Sequence, residues 1–480
     1  MRRIPLALAA LTSSALVIAG CATGNETGDG SSPSPTASRA EPGVTEPAML
    51  SYPDRPSARW TFSADDAGVT GTDVWLIDPA QIGALGNGLD NSRPLIDAGE
   101  AWITAAMGRD LPSTLIGLSP ETGETLWTYR PDDALLDDCA RPLADGALAC
   151  LTKGPLGDLS RTAVVLIDPG TGEETGGFDV PHTIDFFSGR IAVAGADVLV
   201  LLPADPDHGA DDDGWPRLYR VGRYTTDGDE VWSTEVALPA EIPAMGPSEY
   251  LEASGTLVAA RAIVSQWVLD LDDGALLHER RGSWTSRPGG GGLMRTASLV
   301  EVVAADGSIV AELPGYSPVS RLVSDNAAPV LRDPDGVLVE LDPATGQPRS
   351  PGVPNPWSDD GRPTWPAGAS VFGRTLVVTG AHGEGLYGYD LDDPTAPPWS
   401  REGTTSWSTR FTDGTHLFTT AEEGSGPDRT YRVVAVRIDD GSLAWTLPLP
   451  SSDGTDEAQL ARGDGHLVFL QRASITVLDP

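Results

Sequence analysis

The sequence predicts an all-β fold: a β-propeller of four-stranded antiparallel blades, eight in number, with seven as the next possibility. Three observations predict it. A strand–turn–strand phrase, Leu115-Ile-Gly-Leu-Ser-Pro-Glu-Thr-Gly-Glu-Thr-Leu-Trp127, recurs in degenerate form almost to the last residue. Glycines equivalent to Gly123 return every 45 to 55 residues or so, roughly one four-stranded blade per repeat. The composition, 55 Gly and 41 Pro with 40% hydrophobic residues, suits many short strands and turns better than long helices.

The N-terminus carries a targeting pattern. Arg2-Arg3 form a short basic region, Ile4 to Gly20 are mostly apolar and small, and Ile18-Ala-Gly-Cys21 follow at once. The segment resembles a bacterial lipoprotein signal, in which the Cys becomes the acylated N-terminus. An apolar stretch this short is a targeting element rather than a stable membrane span. Residues 1–20 are therefore expected to be a signal peptide. Cys21 is the expected lipid attachment site, which would hold the protein at the extracytoplasmic face of the cell membrane. Residues 21–56 are rich in Gly, Ser, Thr, Pro, Glu and Asp, and bury too little apolar surface to offset the entropy of ordering. They read as a tether to a propeller spanning 57–480.

The repeats follow in order. Clear copies of the phrase are Val165–Gly172, Tyr224–Gly228 with Trp232, Val268–Gly274, Val337–Gly346, Leu386–Asp393 with Trp399, and Val436–Gly441 with Trp445. A weaker one is Val302–Gly307. Each begins with an apolar strand suited to a stacked sheet. Asp, Pro and Thr favour the turn, and the Gly supplies a positive φ. The aromatic on the next strand can wedge between neighbouring sheets. Asp145-Gly146, Ser254-Gly255, Asp413-Gly414 and Asp464-Gly465 mark further hairpins. Counted generously there are nine units, but those around 293–313 and 318–347 are short enough to share strands, so eight is the expectation.

The two ends fit together. The chain finishes at Ile475-Thr-Val-Leu-Asp-Pro480 with no Trp strand after it, while Ala58-Arg-Trp-Thr-Phe-Ser-Ala-Asp-Asp66 resembles Thr125-Leu-Trp-Thr-Tyr-Arg-Pro-Asp-Asp133. The strand of Trp60 is therefore expected to complete the last blade and remove its exposed edge.

The repeat phrase resembles the L-Y-A-L-D-x-x-T-G-x-x-x-W consensus of the quinoprotein-dehydrogenase-like (PQQ-like) propellers. Leu115–Trp127 is the best match, and Gly172 and Gly346 keep the turn without the Trp. The dehydrogenases of that family hold their quinone with a vicinal Cys-Cys pair and a calcium or lanthanide ion. This sequence has no Cys-Cys dipeptide, so the resemblance implies the fold without implying bound PQQ or a catalytic residue. Repeats of the family also serve as non-catalytic scaffolds.

Nothing else in the sequence supplies a catalytic centre. There is no G-x-S-x-G, H-E-x-x-H or Walker A motif. His278, His416 and His466 sit in strand positions and read as packing or surface residues. Asp205, Asp207, Asp211, Asp212 and Asp213 read as a solvated acidic loop, with a calcium site as the alternative. Gly289 to Gly292 lack the strand–helix setting of a phosphate loop.

Cys139 and Cys150 flank Ala140 to Ala149 with a tight turn at Leu143 to Gly146, which places them across a hairpin from each other. A disulfide is the expectation for an exported chain, and two buried thiols are the alternative. The formal net charge of −37 argues against nucleic acid and anionic lipid surfaces as ligands. The expected function is a lipid-anchored, non-catalytic binding or scaffold module with a protein or small-molecule ligand at the propeller loop faces. The alternative is a quinone-dependent dehydrogenase-like or other propeller enzyme.

Overall fold

Consecutive residues of one strand face two different neighbours, and this sets the architecture. Leu115 packs in a core shared with the following sheet, while Ile116 and Leu118 pack in one shared with the last sheet of the chain. A strand buried on both faces must be apolar at nearly every position, hence the continuous apolar runs. The computed structural model describes residues 49–71, 73–84, 93–108, 111–141, 143–154, 161–180, 189–204, 216–239, 250–262, 264–287, 290–319, 329–342, 345–349, 352–354, 368–379, 385–401, 411–423, 430–448 and 459–480.

Among these residues the chain forms nine antiparallel sheets. In chain order, sheets 1 to 8 span residues 74–129, 135–180, 190–237, 250–281, 283–314, 317–340, 368–401 and 411–448, and sheet 9 begins at 459. Most have four strands in simple up-and-down order. Nine apolar cores lie between consecutive sheets, and one of them joins sheet 9 to sheet 1. The ring is therefore closed. The fold is a nine-bladed β-propeller.

The expectation of eight blades is thus corrected to nine. The two short units fold as separate sheets, 5 and 6, with a core between them. Sheet 5 begins with strands of only four residues, Ser283–Ser286 and Gly292–Arg295, too short to show a clear period of two. Sheet 6 is cut back further, its first strand being Ser317–Pro318 and its second Val330–Arg332. Its fourth strand is reduced to bridges from Leu338 to Val353 and from Leu341 to Pro348. Pro348 and Pro354 remove donors a regular strand there would need.

Closure follows the expected route. Strand Ser57–Ser63 pairs antiparallel with Ser474–Asp479 and completes sheet 9. Packing begins upstream of it. Tyr52 is fully buried, donates its hydroxyl to the Leu478 carbonyl at 2.9 Å and accepts the Leu467 N–H at 3.0 Å.

Aromatic side chains link many of the blades to the next. The Trp60 indole on sheet 9 donates to Pro120 O of sheet 1, and a Cβ added at Gly123 would lie 2.5 Å from its ring. The relation repeats for Trp127 on Pro169 O and Gly172, Trp232 on Leu271 O and Gly274, and Trp399 on Ile438 O and Gly441. Where the Trp is missing, Phe178 covers Gly228, Leu277 covers Gly307 and Val310 covers Gly346. A β-carbon at these glycines would remove the seat for the neighbouring side chain.

Candidate functional site: the inner charge lock and the long-connection face

Two features rise above the repeat: a buried charge cluster on sheets 1 to 3, and an uneven distribution of connections between the two faces of the ring. The first starts from an interruption. The first strand of sheet 1 is split into Val74–Ile77 and Ile96–Asp97, both pairing with Trp102–Gly108. The excursion 78–95 leaves between them, and the Thr104 hydroxyl donates to Ile77 O at the splice. A short 3-10 helix, Pro79–Ala84, packs on Leu135–Cys139, the first strand of sheet 2, with Ile82 beside Leu136 and Cys139. The first strand of sheet 3 touches those of sheets 2 and 4, so these strands lie at the inner edge of the ring.

The lock is built around this contact. Asp78 caps the helix through the Ala80 N–H at 2.9 Å and accepts from Arg141 at 2.9 Å, and Arg141 also donates to Arg93 O. On the strand below, Asp137 accepts from Lys153, the only lysine of the chain, at 3.0 Å and from the Gly189 N–H at 2.7 Å. Asp138 accepts the Ile191 N–H at 3.1 Å and lies 3.8 Å from Arg190. Burial pushes the Asp138 carboxyl well above its usual range, with Asp137 and Asp78 adding to the effect against Arg190 and the Ile191 N–H. Burial likewise raises Asp78, against the pull of Arg141. Each of the three carboxylates thus lies against a cation, and Arg93 adds a further positive charge near Asp78. The groups pair mostly with each other, which suits a lock on three inner strands better than acid–base chemistry.

The cysteines complete it. Cys139 and Cys150 are register partners on the first two strands of sheet 2, both fully buried, with their sulfurs at bonding distance. They pin the strand that carries Asp137 and Asp138. The histidines are packing residues: His466 Nδ1 lies 3.1 Å from Leu478 O, His416 Nδ1 3.1 Å from Asp413 Oδ2, and His278 Nε2 2.6 Å from Gly307 O. Cys21, most of the expected tether, the acidic group Asp205–Asp213 and Gly289 lie outside the described residues. No group of three or more His, Cys, Asp or Glu suited to a metal ion occurs among the described residues.

The second feature follows from topology. In an up-and-down sheet the first-to-second and third-to-fourth turns share one end. The docking of Trp60, Trp127, Trp232 and Trp399 on the next sheet's third-to-fourth turn aligns these ends around the ring. On this face the turns are mostly tight, as at Asp145-Gly146 and Asp464-Gly465, where both aspartates have positive φ; 319–329 is an exception. The described strand ends that flank 204–217, 238–249, 402–410 and 449–458 lie at the opposite end of the blades. We call it the long-connection face. The cluster of Asp137, Asp138, Lys153 and Arg190 could have been suspected from two adjacent acids inside an apolar strand; Lys153 sits on the paired strand of the same sheet, but Arg190 comes from a sheet that only the fold brings alongside.

No family model and no curated protein matches the sequence. Solved structures similar to the chain include BamB from Moraxella catarrhalis, at 13% identity over 85% of this chain and 99% of that one, with a TM-score of 0.41. Quinohemoprotein alcohol dehydrogenase from Comamonas testosteroni shares 12% identity over 87% and 77% of the two chains, with a TM-score of 0.40. A europium-containing methanol dehydrogenase shares 14% over 86% and 84%, with a TM-score of 0.41. The neighbours include dehydrogenases of the group whose repeat the sequence resembles. The fold assignment itself rests on the nine sheets and the side chains that dock each on the next.

Proposed function

We propose that this chain is an exported, non-catalytic binding or scaffold module, anchored by lipid on Cys21, whose partners meet the long-connection face. The observation that carries the reading is the contrast between the two ends of the blades. One face is closed by short, repeated turns. The opposite face carries connections that share no common pattern, on a frame made rigid by nine interlocked cores; such loops on a rigid frame are where recognition evolves. The inner lock supports this reading because its charged groups pair with each other instead of converging on an open site. The acidity of the chain favours cationic partners.

The test is photo-crosslinking in the native host from two positions, Asp133 after the last strand of sheet 1 on the long-connection face, and Thr122 in a turn of the other face. A discrete adduct from Asp133 alone supports the proposal. Equal labelling from both, or dye-linked alcohol oxidation by the purified chain with PQQ and Ca²⁺, overturns it. Cys21→Ala should release the protein from membranes, and continued partition would remove the anchor from the account.

A further inference from the structure

The inner edge is not filled evenly. Between the first two strands of sheet 5 and those of sheet 6 lies a cavity of about 180 Å³. Its origin is local. The first strand of sheet 6 is two residues long, and Pro318 and Pro329 beside the gap have no N–H with which to extend the ladder. The lining is divided by chemistry. Leu293, Val319 and Val330 give an apolar wall, while Ser283, Thr285 and Arg295 supply two hydroxyls and a guanidinium. Ser283 and Arg295 are register partners at the long-connection end of sheet 5.

Arg295 belongs to a series. Tyr250 pairs with Arg261 on sheet 4, Ser283 with Arg295 on sheet 5, and Ser317 with Arg332 on sheet 6. Each arginine stands opposite the first residue of its sheet's first strand, so three consecutive blades place a cation at one structural position. In a chain with 69 acidic and 32 basic residues, this repeats a basic residue at one structural position.

We propose that this cavity binds a small organic monoanion, a carboxylate on a compact apolar body, with the carboxylate on Arg295 and the Ser283 and Thr285 hydroxyls. Size sets the limit. An engineered apolar cavity of about 150 Å³ holds benzene, so a cavity slightly larger and polar on one side suits a ligand of benzoate size. Guanidinium and hydroxyls together recognise a carboxylate, with Arg supplying a planar pair of donors. The apolar wall excludes hydrated inorganic anions in favour of ligands with a hydrocarbon part. The proposal adds a local anion site between two blades to the module proposed above, whose overall acidity favours cationic partners elsewhere, and rests on the non-catalytic part of that reading.

The experiment is calorimetric titration of the whole chain with benzoate, benzyl alcohol and benzylamine, which differ mainly in charge. Benzoate should bind, with affinity falling as salt rises. Arg295→Gln should weaken benzoate by about tenfold or more, and Arg261→Gln, at the equivalent position outside the cavity, should leave it unchanged. Thr285→Val tests the hydroxyl with little change in volume and should weaken benzoate less than Arg295→Gln does. No benzoate binding, equal binding of benzylamine, or an unchanged Arg295→Gln isotherm overturns the proposal. Quinone-dependent turnover would overturn the non-catalytic reading instead and would leave these isotherms as they are, so the two failures are distinct.

Discussion

The indole N–H of Trp445 donates to the main-chain carbonyl of Tyr52 at 2.8 Å, across 393 residues of sequence. Elsewhere in the ring this bond goes to a carbonyl in the next sheet's third-to-fourth turn, as from Trp127 to Pro169. Sheet 9 has no such turn, because its third strand ends at Asp479 and its fourth starts at Ser57. The segment around Tyr52 stands in for it, held by bonds from Leu50 N to Gly465 O and from Tyr52 N to Asp413 Oδ2.

Tyr52 is therefore part of the closure. Tyr52→Phe keeps the ring and loses the hydroxyl, which both donates and accepts, and should cost about 1–3 kcal/mol. Tyr52→Ala also opens a cavity beside Phe418 and Trp445 and should cost about 3–5 kcal/mol. Urea unfolding of the two variants checks the order.

Two glycines with nearly the same φ should respond differently to alanine. Gly123 has φ +72 and would set its Cβ 2.5 Å from Trp60, while Gly146 has φ +83 and open space around it. Gly146→Ala should cost roughly 1 kcal/mol for the left-handed backbone. Gly123→Ala should add about 1–3 kcal/mol from the displaced indole. A comparable loss at both positions would count against the docking of Trp60.

The inner lock predicts non-additivity. Lys153→Met leaves Asp137 buried without its cation and should cost about 3–5 kcal/mol. Adding Asp137→Asn removes the stranded charge while keeping an acceptor for Gly189 N–H, and should recover part of that loss. A double-mutant cycle measures the coupling.

Asp464 gives a pH dependence with a defined sign. Burial, joined by the hydrogen bond and charge of Asp97, raises its carboxyl from 3.8 to about 6. Between those values the folded state binds more protons than the unfolded one, so this group's contribution to stability falls as pH rises through the window. Asn accepts the positive φ at this position. Asp464→Asn should match the wild type below about pH 4 and be the more stable of the two above about pH 6, measured as urea midpoints against pH.

The disulfide predicts both a stability and an accessibility. Replacing Cys139 and Cys150 by Ser should cost about 2–4 kcal/mol. Because both sulfurs are fully buried, native protein treated with reductant should show no alkylation at either position until it unfolds.

The parts of the fold legible in the sequence were those written by local chemistry. Gly123 and Trp127 stand out because the turn needs a positive φ and the aromatic needs a seat without a side chain. The fourth strand around Trp60 could be assigned because it repeats the strand of Trp127. Sheets 5 and 6 were harder to separate, since strands as short as Ser317–Pro318 carry no period. Tyr52 was hidden because its neighbours have the composition of a linker. Lys153 lies across a hairpin from Asp137, but Asp138 meets Arg190 only after sheets 2 and 3 come together, and the cavity beside Arg295 exists because a strand is cut short, which no motif records.

The closed ring is tested most directly by a bridge across its seam. Thr61 and Thr476 are register partners on the strands that close sheet 9, exposed, with their hydroxyl oxygens 3.0 Å apart. In a Thr61→Cys/Thr476→Cys variant, oxidation should join the two ends of the chain within one molecule, seen as faster migration in denaturing gels without reductant and as a higher unfolding midpoint. Two thiols that stay free under oxidising conditions, or that bridge only between molecules, would contradict the ring.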